Sequence, residues 1–224
     1  MSSAASPTKV RSLPRKIRYD SRSIALLAVF SAMTATLEIF PIVGITDLKL
    51  VPQFPFFTID WTGIPIIIVL IGLGLVYSLV TVAVMGVAIG YRNPIGAAFK
   101  VTAEALTVVG FFFGQRIIPS RIDRRVRLVT ALVFACLFRA LGMVLFNYYA
   151  MPLFYGLPYE QALQVGLGLL PWNALQAAIN VVGGTALYRA IPRDLRLQAG
   201  LGEGNSVNEQ GVRELGGDLG STVG

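Results

Sequence analysis

Long apolar runs separated by short polar breaks dominate the chain. Residues 24–42, 63–91, 95–118, 127–150 and 171–190 are each built mainly from Ala, Val, Ile, Leu, Phe and Gly. About 20 such residues cross about 30 Å of hydrocarbon as a helix. None of the runs alternates with period two, as the strands of a membrane barrel do. The pattern predicts an all-α integral membrane protein. Helix punctuation marks the breaks. Pro41 and Gly44 end the first run, and Asn93-Pro94 opens the fourth helix with proline in its first turn. Pro152 closes the fifth helix at about residue 150, and Pro171 opens the sixth. Residues 153–169 read as an outer loop with some amphipathic character. The run 63–91 is long for one span and short for two. Gly72 and Gly74 near its centre divide it into helices over 63–74 and 76–91.

Charge placement supports that division. Lys9, Arg11, Arg15, Lys16, Arg18 and Arg22 precede the first run, and Arg116, Arg121, Arg124, Arg125 and Arg127 cluster before the fifth. Basic segments stay cytoplasmic, so an even number of crossings separates these two. Arg189, Arg193 and Arg196 hold the end of the last helix on the same side, and only Lys49 and Arg92 fall on the other. The expectation is a bundle of six transmembrane helices over 24–191, with both termini cytoplasmic. A basic segment over 1–23 precedes it, and a disordered cytoplasmic tail over 192–224 follows. The first run reads as an ordinary transmembrane helix, because no small-residue cleavage site closes it.

Composition narrows the chemistry. The 224 residues are 54% hydrophobic and 14% charged, with a formal charge of +7. The basic clusters follow the topology, so the charge does not imply nucleic acid. There is no histidine and one cysteine, Cys136. This removes the commonest metal ligand and general base, any disulfide within the chain, and cysteine zinc sites. No P-loop, HExxH or GxSxG is present. An enzyme is not expected, and uphill transport needs a partner or an ion gradient.

Polar residues inside the apolar runs are the candidates for function. Glu38, Lys100, Glu104 and Arg139 lie within helices, where an unpaired charge at the bilayer centre costs about 2.5–3.5 kcal/mol on insertion scales. Lys100 and Glu104, four apart, share a face and can pair. Glu38 is expected to reach the interface, and Arg139 to lie near mid-membrane in an ion pair. On the sixth helix Asn173, Gln176 and Asn180 form one polar stripe. Amides donate and accept, which fits a neutral heterocycle as well as interhelical bonding. Asn147 and Asn93 lie toward the same side. Trp61, Tyr148, Tyr155, Tyr159 and Trp172 form an aromatic belt that can also stack on a planar ligand. Ala25, Ala28, Ala32 and Ala35 make a small-residue face on the first helix, suited to close approach by a partner subunit or by a neighbouring helix of the same bundle.

The segment FPFFTIDWTGIP, residues 54–65, cannot lie bare in hydrocarbon, since its backbone groups would be unpaired. It resembles the loop after the first helix in substrate-binding S-components of energy-coupling factor (ECF) vitamin transporters, most closely the riboflavin type. NYYAMPLFYG at 147–156 resembles that family's NYF…PLYG, and PWNALQAAIN at 171–180 resembles its PFN…K…N. The alanine face is similar to the motif with which S-components meet their coupling subunit. The resemblance implies a bundle that binds a vitamin, riboflavin or a related heterocycle, from outside. It implies association with a transmembrane coupling protein and two cytoplasmic ATPases in the cell membrane. It carries ligand contacts onto Phe57, Asp60, Trp61, Asn147, Tyr148, Asn173 and Asn180. Gln176 stands where the family pattern has lysine, and Lys100 and Glu104 add charge to the fourth helix, so all three join the candidate site. Two other readings compete. In an ion-coupled carrier, Lys100, Glu104 and Arg139 would form a relay. A scaffold without ligand would use the alanine face and the belt alone.

Overall fold

The computed structural model describes residues 21–40, 47–48, 57–119 and 122–201. The elements are α1 (Ser21–Ile39), β1 (Asp47–Leu48), β2 (Ile59–Asp60), α2 (Gly63–Gly72), α3 (Leu75–Gly90), α4 (Pro94–Ile117), α5 (Arg124–Tyr155), α6 (Tyr159–Ala190) and α7 (Arg193–Gln198). The two short strands pair antiparallel, Asp47 opposite Asp60 and Leu48 opposite Ile59. Much of the loop from which the family resemblance starts, residues 49–56, lies outside the described residues. So do 1–20 and 202–224, which bear on the expected position of the termini.

α1, α4, α5 and α6 are long and apolar enough to cross a membrane, and α2 and α3 are shorter apolar helices. The division of residues 63–91 is as the glycines indicate. Gly74 takes φ +107°, a left-handed conformation that favours glycine, and α3 starts immediately after it. With ten residues, α2 spans about 15 Å, half the hydrocarbon thickness. It has no lipid-facing side: every residue from Gly63 to Leu70 is buried. The helices pack in the order α1, α3, α4, α5, α6 and α2, and α2 returns to α1. Ile66, Ile67, Val82, Met85, Val108, Phe111, Ala131, Ala135 and Val181 form the core between them. Small residues permit the closest approaches. Gly110 and Gly114 of α4 lie against the α5 backbone at Phe134–Ala135 and Thr130–Ala131, and Gly184 of α6 lies against Ile67 of α2.

Two helices are longer than the prolines indicate. α5 runs through Pro152 to Tyr155, and α6 begins at Tyr159, so the expected loop over 153–169 is mostly helix. Proline in the last turn removes one donor without stopping the chain. The stop is Gly156 at φ +67°, whose N–H reaches Pro152 O at 3.1 Å. α6 passes through Pro171 because its buried face stays in phase: Ala162, Gly166, Leu169, Asn173, Gln176, Asn180 and Gly184 all point inward. The ordered chain also extends past the expected end of the bundle. α7 follows Pro192, and Leu201 is only 4% exposed, packed with Tyr188 and Ile64.

Candidate functional site

A cavity of about 540 Å³ opens between α4, α5 and α6, with the segment Phe57–Asp60 on its rim. Each helix contributes a stripe at helical spacing: Gly96, Lys100 and Ala103 from α4, with its capping residue Asn93; Arg139, Met143, Asn147, Met151 and Tyr155 from α5; Val165, Leu169 and Asn173 from α6. Most of the wall is apolar. The polar groups converge from α4, α5, α6 and the rim.

Two linked ionic clusters form the polar wall. At the rim, Lys100 Nζ donates to Asp60 Oδ2 at 2.6 Å and also pairs with Glu38 of α1. Thr62 donates to Asp60 Oδ1 from its N–H, at 3.0 Å, and from its hydroxyl. Burial pushes the Asp60 carboxyl up; the Lys100 ammonium and the Thr62 donors outweigh it and hold the group below the usual carboxylate range. Deeper in the bundle, Arg139 Nη1 donates to Glu104 Oε1 at 2.6 Å and to Thr107 Oγ1 at 3.1 Å. Glu104 is 1% exposed and Arg139 4%.

The amide stripe of α6 joins the two clusters. Gln176 donates from Nε2 to Asp60 O at 2.7 Å and accepts from Asp60 N–H at 3.2 Å. It thus closes the open edge of β2 as a neighbouring strand would. Gln176 also donates to Asn180 Oδ1 at 3.1 Å, and Asn180 donates to both oxygens of Glu104, at 3.2 and 3.0 Å. Asn173 donates to Leu169 O at 3.1 Å and accepts from Arg139 Nε at 3.5 Å. Gly63 makes room for this network, since a Cβ there would overlap the Asn180 amide. Asn147 is the exception. It is 1% exposed, it lines the cavity, and neither Oδ1 nor Nδ2 has a hydrogen-bond partner.

The sequence-derived site residues therefore separate into groups. Phe57, Asp60, Lys100, Asn147 and Asn173 line the cavity. Glu104, Gln176 and Asn180 stand behind its wall and fix the lining groups. Trp61 is 36% exposed and lies off the cavity, as does Tyr148, whose ring packs on Tyr149 and Tyr159 at 5.0 and 5.1 Å. Two pairings differ from expectation. Lys100 turns away from Glu104 to the rim, and Glu38 meets it there instead of ending at the interface. Among lining residues, Phe99, Met143, Met151, Val165 and Leu169 escaped sequence reasoning, because an apolar residue in a membrane helix carries no distinguishing mark. The spacing of four from Arg139 through Met143 and Asn147 to Met151 was the available signal.

On the far side of the bundle, α1 buries Ser23, Ser31 and Thr34 and leaves Ala25, Ala28 and Ala32 exposed, with Ala35 half-buried. Ser31 donates to Thr81 of α3 at 3.3 Å. The polar face of α1 thus packs inward, and the alanine face turns out.

This arrangement of helices is the fold seen in a solved S component of an ECF transporter. The chain aligns with a solved structure described as the S component of a bacterial ECF transporter, with 18% identity and a TM-score of 0.62, covering 78% of this chain and 97% of the other. The S-component for biotin from an ECF-type ABC transporter aligns at 17% identity and a TM-score of 0.47, covering 78% and 95%. No family model and no curated protein matches the sequence.

Proposed function

We propose that the chain is the substrate-binding subunit of an ECF-type uptake transporter and takes a heterocyclic vitamin of the riboflavin kind from the outer side of the cell membrane. One observation carries the reading: a cavity of about 540 Å³ on this fold, into which the unpaired, buried amide of Asn147 is set. Small-molecule sites range over about 300–1,000 Å³. Asn147 offers a donor and an acceptor, matching a ring that carries both N–H and C=O. Phe57, Phe99 and Tyr155 offer faces on which a planar ring can stack. Among the described residues the wall and its supports hold three carboxylates, Glu38, Asp60 and Glu104, against two cations, Lys100 and Arg139, and both cations are already paired. A carboxylate ligand would have to displace one of those partners, so the site favours a neutral ligand. A transmembrane coupling protein and two cytoplasmic ATPases would supply the energy, with Ala25, Ala28, Ala32 and Ala35 as the docking face. The pairing of Lys100, Glu104 and Arg139 speaks against their use as an ion relay, and a scaffold leaves the cavity without a purpose.

Titration of the purified chain with riboflavin, read by quenching of flavin fluorescence, tests the proposal together with mass spectrometry of co-purified small molecules. Saturable quenching is expected, and Asn147→Ala should weaken it by about tenfold, the value of a buried polar pair. A preparation that neither carries a heterocycle nor quenches the flavin overturns the reading.

A further inference from the structure

A second cavity, of about 620 Å³, lies at the opposite end of the bundle from the first. Arg116, Arg124, Arg127 and Arg189 line it, and among the described residues no carboxylate does. Among the described residues none of these guanidinium groups has an ion-pair partner. Arg116 instead stacks on the Phe112 ring, 4.4 Å from its centre. Two further features face the same space. α3 begins there at Gly74 and Leu75, and no side chain caps its first turn, so the positive end of a helix adds to the arginines. Thr185 of α6, 7% exposed, lines the cavity with a buried hydroxyl that has no partner. The floor is apolar, with Phe111, Phe112 and Leu128.

Four unpaired arginines, an uncapped helix start and an orphan hydroxyl make a site for a phosphate group. The apolar floor beside them matches the glycerol and first acyl carbons of a membrane lipid. We propose that this cavity binds the headgroup of an anionic phospholipid from the cytoplasmic leaflet. The excess of arginine at this end serves topology, but topology does not require the arginines to face one concavity or an unpaired hydroxyl to stand within it. Arg125 provides the contrast, since it belongs to the same basic cluster and does not line the cavity.

The test uses the full chain in nanodiscs of phosphatidylcholine alone or with a minority of phosphatidylglycerol. Retained lipids are counted by native mass spectrometry, and melting is followed in parallel. The wild type should retain phosphatidylglycerol preferentially and melt higher in its presence. Arg124→Gln with Arg127→Gln should reduce that retention by about fivefold or more, and Arg125→Gln should leave it unchanged. Thr185→Val keeps every charge and nearly the same volume, and should also reduce retention; it carries the test if the double variant does not fold. No preference in the wild type, or equal loss in Arg125→Gln, overturns the proposal. An equal rise in melting with inorganic phosphate alone overturns the lipid as the source of the phosphate group.

Discussion

Asp60 and Glu104 show how single charges are kept inside this bundle. Asp60 accepts from Lys100 and Thr62 through its carboxylate, and both of its backbone groups are taken by Gln176. Its ionised form is favoured in the folded state. Such a carboxylate stabilises the fold at all pH values above its unfolded value, about 3.9, and the contribution is lost as pH falls through the lower folded value. The melting difference between wild type and Asp60→Asn should therefore be constant above about pH 5 and vanish in stronger acid. A difference that grows on acidification would contradict the depressed value. Glu104→Leu leaves Arg139 buried without its partner, and should cost about 3–5 kcal/mol in denaturation measurements. Polarity marked these residues in the sequence, but their partners were hidden. A Lys100–Glu104 pair four residues apart is worth only about 0.2–0.5 kcal/mol. Pairing between elements settles the buried charges together, and only the packed bundle reveals which elements meet.

At the scale of elements, the outward alanine face of α1 leads to a sharp expectation. Ala28→Trp and Ala32→Trp add bulk on an exposed surface. Ligand binding should be unchanged, while co-purification with a coupling subunit should be abolished. Loss of binding with normal assembly would instead place the face in the protein's own packing. The ends of α5 and α6 were the least legible elements, for a defined reason. Proline predicts a boundary at 152 and 171, yet both lie inside helices. The glycine at 156 carried the true stop, and the inward phase of Ala162, Gly166 and Leu169 already matched that of Asn173 and Gln176. By contrast, the break between α2 and α3 was legible because only glycine adopts the φ of Gly74 readily.

For the whole molecule, the helical membrane class and the order of its helices followed from run length and from the parity of basic clusters. The position of the cavity among α4, α5 and α6 was foreshadowed by Lys100, Asn147 and Asn173, each a costly residue in an apolar helix. What the sequence could not give was depth. Glu104, Gln176 and Asn180 have the same marks as the lining residues, yet they stand one layer behind, as supports. That layering makes the fold and the site one hydrogen-bonded unit. Gln176→Leu should therefore weaken riboflavin quenching and lower the melting temperature together, by leaving both backbone groups of Asp60 unpaired.

Lys100 pairs with carboxylates of two elements at once, Glu38 near the end of α1 and Asp60 before α2. It acts as a latch between the doorway of the cavity and the helix that faces outward on the other side. A molecule settling beside Lys100 cannot tug on Asp60 without also tugging on α1. With Lys100→Met the latch opens, two carboxylates face each other without a counter-charge, and amide hydrogen exchange in the last turn of α1 should quicken while that near Ser31 holds. An unchanged exchange pattern would mean that packing on α3 alone seats α1, and that the doorway and the outward helix are mechanically separate.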